Sequence, residues 1–182
     1  RNALAATAAA IAANVSLDAV KRGLEAFKPV KGRLQVKRAV LKPIEGATVI
    51  DDTYNSNPDS MRAAIDVLAS QPSPRVLVMG DMGEVGDQGP AFHREVGAYA
   101  AQRGIDALYA LGDASIDSSK AFGTAGQHFT DITSLIAALT GAGFGPDATF
   151  LVKGSRFMQM ERVVDAVTSP HQPAAGATPA AH

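Results

Sequence analysis

The run Thr48-Val49-Ile50-Asp51-Asp52-Thr53-Tyr54-Asn55-Ser56-Asn57-Pro58 changes character twice. It opens on β-branched residues that read as a strand, with a turn at Glu45-Gly46 before it. It continues as a polar stretch carrying two carboxylates, an aromatic ring and two amides. It ends on Pro58, which suits the first turn of a helix, preceded by Asn57 as its N-cap. Met61, Ala64, Ile65 and Leu68 then recur at helical spacing, as the buried stripe of that helix would. Strand, polar loop and helix follow one another in the order of one unit of an α/β fold.

The unit repeats along the chain. Arg75 to Met79 reads as an apolar strand, followed by a glycine-rich loop and a helix from about Pro90 to Arg103, closed by Gly104. Ala107 to Leu111 is the next strand. A polar helix near Ser115 to Ala121, a short strand near Gln127 to Phe129, and a helix striped by Ile132, Leu135, Ile136 and Leu139 and closed by Gly141 come after it. Thr149 to Lys153 is the last strand, and Arg156 to Val167 the last helix. Strands that are continuous apolar runs, alternating with helices, predict a Rossmann-like, mostly parallel sheet with helices on both faces. Val36 to Leu41 adds one more strand before this series.

The beginning of the chain differs. Residues 2–13 read as an alanine-rich helix, and Ser16 as the N-cap of a second helix with Leu17, Val20, Leu24 and Phe27 on one face, ended by Pro29 and Gly32. Two helices and a basic loop do not make a core of their own, so 1–33 is expected to be the end of a preceding domain. The sheet domain is expected over 34–168. Residues 169–182, rich in Pro, Ala and Gly, are expected to be a disordered tail containing His171 and His182.

Composition excludes several classes. The 182 residues include no cysteine, which removes disulfides, thiolate metal sites and cysteine nucleophiles together. No stretch is long and apolar enough to span a bilayer, and no signal peptide is recognisable, so a cytoplasmic location is expected. Residues 1–42 carry nine Lys or Arg against Asp18 and Glu25, leaving the rest net acidic. That asymmetry fits an anion-binding edge or a solvated basic helix and loop. The basic run lacks interleaved aromatics, which argues against nucleic acid.

In a doubly wound sheet, ligands sit beyond the carboxyl ends of the strands. Three loops there carry chemistry. Asp51 to Pro58 offers acceptors for ribose hydroxyls, a ring for stacking and a helix N-terminus, although Asp and Asn also favour plain turns and caps. Gly80-Asp81-Met82-Gly83-Glu84-Val85-Gly86 lets a backbone approach a ligand, with Asp81 and Glu84 available for an ammonium group or for water. It is neither a phosphate loop nor a dinucleotide fingerprint. Lys153-Gly154-Ser155-Arg156 sets two cations and a hydroxyl at a helix start, a carboxylate clamp or a capped helix with solvated cations. His93 reads as a satisfied or surface histidine, and no His and carboxylate cluster has metal-ligand spacing.

These three loops, in this order and with Lys31-Gly32-Arg33-Leu34 before them, resemble the Mur ligases from Asn2 to about Val167. Within the family the run 51–61 is most similar to the members that join D-alanyl-D-alanine to UDP-N-acetylmuramoyl-tripeptide. The resemblance implies the third, Rossmann-like domain of an ATP-dependent ligase, preceded by the last two helices of a central domain. It implies ATP contacts from Asn2, Arg33, Asp52, Tyr54, Asn55 and Asn57, and substrate contacts from Asp81, Lys153, Ser155 and Arg156. It implies Mg²⁺ held by a central domain and no metal ligand here, and it implies that residues 1–182 alone do not turn over. Two rivals share the architecture: a phosphotransfer receiver, whose acidic pair, further Asp and late Lys would be mimicked by Asp51, Asp52, Asp81 and Lys153, and a related ligase that adds glutamates to folates. A sheet domain that only binds partners is a third, opposed by the polar density at three strand ends.

Overall fold

The computed structural model describes residues 2–27 and 30–169, and of Asn2 the backbone alone. All but Ser169 of the tail expected over 169–182, with its two histidines, and the helix end at Pro29 lie outside the described residues. The chain divides into two compact units between Val30 and Lys31, three residues before the boundary expected from sequence. The smaller unit holds α1 (Asn2–Ala12) and α2 (Leu17–Glu25), the latter capped by the Ser16 hydroxyl accepting from the Ala19 N–H at 3.3 Å. The apolar stripe expected on α2 is not buried: Leu17 and Phe27 are two-thirds exposed.

The larger unit is a six-stranded sheet: β1 (Gln35–Arg38), β2 (Thr48–Asp52), β3 (Arg75–Gly80), β4 (Ala107–Leu111), β5 (Gly126–Phe129) and β6 (Thr149–Lys153). Their order across the sheet is β1-β2-β6-β3-β4-β5, parallel throughout except for the antiparallel edge strand β1. Five helices cover it: α3 (Pro58–Ala69), α4 (Gly89–Gln102), α5 (Ile116–Phe122), α6 (Ile132–Gly141) and α7 (Glu161–Thr168). Side chains alternate across each strand, so the two faces separate cleanly. Ile50, Leu77, Met79, Leu108, Ala110 and Leu151 pack under the α3 stripe Met61, Ala64, Ile65 and Leu68 and under Val96 and Ala100 of α4. Val49, Val76, Val78, Tyr109, Phe150 and Val152 face Leu135 and Leu139 of α6 and Val163, Val164 and Val167 of α7.

Two elements depart from the sequence expectation. β1 is shorter than Val36 to Leu41, because Val40 and Leu41 turn away to bond the Val167 carbonyl. The last helix is broken: a single 3₁₀ turn spans Arg156–Met158, Gln159 takes φ +49° in the left-handed region, and α7 starts only at Glu161. The side chains of this turn meet the end of the sheet, with Met160 fully buried against Gly80 and Gly154.

The amino ends of β3 and β4 are joined by Asp106. Its carboxylate accepts the Arg75 N–H at 2.6 Å, Arg75 Nε at 3.1 Å and the Ser73 hydroxyl at 3.0 Å. Partial burial opposes its ionisation, but the Arg75 and Ser73 hydrogen bonds outweigh that and hold it below the usual carboxylate value. A carboxylate with a lower pKa folded than unfolded stabilises above the unfolded value, near 4, and loses that contribution as pH falls through the folded one. Asp106→Asn should therefore lower the urea midpoint near neutral pH, and the gap to the parent should shrink at about pH 3. A gap that widens on acidification contradicts the assignment.

Candidate functional site

β6 lies between β2 and β3, and its following helix, α7, covers the opposite face from α3 and α4. The loops after β2 and β3 therefore turn one way and the loop after β6 the other. The rim splits at β6, as at a topological switch point. The three loops singled out by sequence meet there. Register pairs Asp52 with Lys153 and Met79 with Lys153, which places all three loop starts side by side.

Asp51 and Asp52 point to opposite faces of the strand and do different things. Asp51 is fully buried, accepting Lys37 Nζ at 2.8 Å and the Thr53 hydroxyl at 2.7 Å. It fastens β2 to β1, a role for Lys37 and Thr53 that no sequence motif signals. Asp52 reaches the rim. Its Oδ1 accepts the Leu34 N–H at 3.2 Å and its Oδ2 accepts Lys153 Nζ at 2.7 Å. Lys153 Nζ also donates to the Asn55 carbonyl at 2.8 Å.

The segment after the unit boundary is laid onto this loop. The Tyr54 N–H donates to the Gly32 carbonyl at 3.0 Å, and the Arg33 guanidinium sits 4.3 Å above the Tyr54 ring. These contacts place residues 31–33 with the sheet. Tyr54 is about half exposed, and Arg33, Asn55 and Asn57 are exposed beside it. Asn57 is the N-cap of α3: its Oδ1 accepts the Ser60 N–H at 2.8 Å, and Ser60 Oγ accepts the Asn57 N–H at 3.0 Å. Among the described residues the Asn57 amide N–H₂ has no hydrogen-bond partner and can donate outward.

The other two loops are knitted to the first. Ser155 is buried. Its hydroxyl accepts the Gly83 N–H at 2.6 Å and donates to the Ser56 carbonyl at 3.1 Å, so one side chain joins three loops. Asp81 turns inward: its main-chain oxygen accepts the Ser155 N–H at 3.0 Å, and its carboxylate accepts the Ala114 and Ser115 N–H groups at 3.2 and 2.8 Å. The carboxylate packs over Gly112, whose φ of +113° and missing Cβ leave room for it. His93 is buried as expected for a satisfied histidine. Its Nε2 accepts the Met82 N–H at 3.0 Å, which requires the Nδ1–H tautomer donating to the Gly89 carbonyl at 2.7 Å. It pins the glycine-rich loop to α4.

Of the four residues expected towards the substrate, Arg156 alone is widely exposed, its side chain 69% accessible and 3.0 Å from Glu161. Asn2 lies in the smaller unit, at the start of α1. A cleft of about 440 Å³ opens between the N-terminus of α3 and the glycine-rich loop, lined by Asn55, Ser56, Asn57, Arg62, Glu84 and Phe92 among others. Its size suits a small ligand. Among the described residues no group of three His, Asp or Glu side chains converges on a metal position, and the carboxylates of Asp51, Asp52 and Asp81 each go to separate partners. That separation is the opposite of a receiver's shared acidic pocket. No helix among the described residues is long and apolar enough to cross a membrane.

Residues 32–156 match the family described as Mur ligase, glutamate ligase domain. The UDP-N-acetylmuramoyl-tripeptide--D-alanyl-D-alanine ligase of Escherichia coli is 44% identical over 167 residues, covering 91% of this chain and 36% of that protein. The protein of that name from Haemophilus influenzae is 40% identical over 169 residues, covering 90% and 36%. The crystal structure of MurF from Acinetobacter baumannii superposes with a TM-score of 0.76 at 34% identity, covering 93% of this chain and 37% of that one. This chain thus spans little more than a third of the relatives it matches. A family match over residues 32–156, with relatives 44% and 40% identical over 91% and 90% of the chain, makes it a member of the Mur ligase family.

Proposed function

We propose that this chain is the nucleotide- and dipeptide-facing part of an ATP-dependent ligase that adds D-alanyl-D-alanine to UDP-N-acetylmuramoyl-tripeptide in cytoplasmic peptidoglycan precursor synthesis. The observation that carries the reading is the knitted rim: Asp52, Lys153, Ser155 and the Gly83 amide hold three loops together around exposed Arg33, Tyr54, Asn55, Asn57 and Arg156. The names of relatives at 40% and 44% identity support the choice of amine and acceptor.

The proposed chemistry activates the terminal carboxylate of the tripeptide as an acyl phosphate, which the dipeptide amine attacks with release of phosphate. On this chain, the Arg33 guanidinium supplies positive charge beside the nucleotide, where it offsets phosphate charge. The Tyr54 ring and the Asn55 and Asn57 amides line the nucleotide side, and Arg156 is the cation available to a dipeptide carboxylate. Mg²⁺ is implied only by the resemblance to the family, with its ligands expected in a central domain. The 182 residues contain no phosphate loop, so the piece alone is expected to release no ADP.

The full-length protein containing this chain, given ATP, the UDP-linked tripeptide and a panel of amines, should release ADP with D-alanyl-D-alanine and not with D-glutamate or L-alanine. ADP release driven equally by a single amino acid, or by residues 1–182 alone, overturns the proposal.

A further inference from the structure

The loop position of Lys153 points towards the dipeptide, but its ammonium goes elsewhere. The side chain is 4% exposed, and Nζ is held by Asp52 Oδ2 at 2.7 Å and the Asn55 carbonyl at 2.8 Å. Asp52 holds the Leu34 N–H through its other oxygen. One buried ion pair therefore joins three stretches distant in sequence: the segment after the unit boundary, the loop after β2 and the end of β6. The loop it fixes is the one that displays Tyr54 and Asn55, and the segment it fixes carries Arg33 over the Tyr54 ring. The second cation of the same loop, Arg156, is the exposed one.

We propose that Lys153 is a positioning residue for the nucleotide-facing loop and does not touch the dipeptide. The proposal rests on the ligase reading above and refines it: the two cations of one four-residue loop serve different substrates. Lys153 acts through Asp52 and the Asn55 carbonyl on the nucleotide side. Arg156 faces outward for a carboxylate. The geometry also explains why a lysine stands here. An ammonium directs its donors to a carboxylate and a carbonyl from one point, whereas the flat guanidinium fork has a fixed spread and shifts one of them.

The test uses Lys153→Met and Lys153→Arg in the full-length protein. ADP affinity is read by calorimetry, and KM is measured for ATP and for D-alanyl-D-alanine. In Lys153→Met, the ADP Kd and the ATP KM should rise about tenfold or more while the dipeptide KM stays within about twofold. Lys153→Arg keeps the charge and should show the same split in smaller degree, and it carries the test if thermal melts show that the methionine variant does not fold. A purely structural role would not separate the two KM values. A dipeptide KM that rises at unchanged ADP affinity overturns the proposal, as does unchanged ADP affinity in a folded variant. ADP binding is read without turnover, so a parent protein that binds ADP but does not use D-alanyl-D-alanine contradicts the ligase reading and leaves the positioning claim to stand or fall on the ADP measurement.

Discussion

Gly97→Ala should destabilise the protein by about 3 kcal/mol, the upper end of what one added methyl costs in a packed interior. A Cβ at Gly97 would lie 2.1 Å from the Ser118 carbonyl oxygen and 2.7 Å from its carbon. Those are backbone atoms of α5, so no side chain can swing aside. Neither helix is free to retreat. The Ser118 hydroxyl donates to the His93 carbonyl at 2.7 Å, and His93 is pinned between the Met82 N–H and the Gly89 carbonyl. The strain should therefore reach the glycine-rich loop. Gly141→Ala is the control, because nothing lies within 4 Å of a Cβ there. Urea denaturation of both variants measures the difference. Equal midpoints would contradict the tight crossing of α4 and α5.

Lys153→Met should cost about 3–5 kcal/mol, the penalty for leaving one member of a buried ion pair without its partner. The Lys153 and Asp52 side chains are 4% and 15% exposed, so water does little to screen the remaining carboxylate. The loss has a signature that packing alone would not give. The double variant Lys153→Met, Asp52→Leu removes both charges and should recover part of the stability, because no unpaired ion is left in the interior. A single variant that loses less than about 1 kcal/mol, or a double variant that loses the sum of the two singles, would show that the pair behaves as a surface contact.

The sheet was legible because its information is local. Thr149 to Lys153 reads as a continuous apolar strand, and Met61, Ala64, Ile65 and Leu68 recur at i, i+3, i+4 and i+7, one face of a helix. The break after Arg156–Met158 was not legible: no Gly or Pro marks Gln159, and its left-handed backbone follows from seating Met160 against the strand ends. The site was legible in its members and not in their roles. Residue type placed Asp81, Lys153 and Ser155 at the right rim. Their partners come from other loops, 101 residues away for Lys153 and Asp52 and 99 for Ser155 and Ser56, so sequence spacing carries no trace of them. Each reads in isolation as a group aimed at a ligand, and each is held by the protein itself. Arg33, Tyr54 and Arg156 kept the exposure that a ligand contact needs.

Amide hydrogen exchange on the full-length protein, with and without ADP and D-alanyl-D-alanine, asks directly whether the rim at the carboxyl ends of β2, β6 and β3 meets both ligands. Slower exchange is expected over residues 52–57 with ADP and over 153–156 with the dipeptide, and no change over 71–74 and 104–106 at the amino ends of the strands. Protection confined to those amino ends, with 52–57 and 153–156 unaffected, would contradict the account.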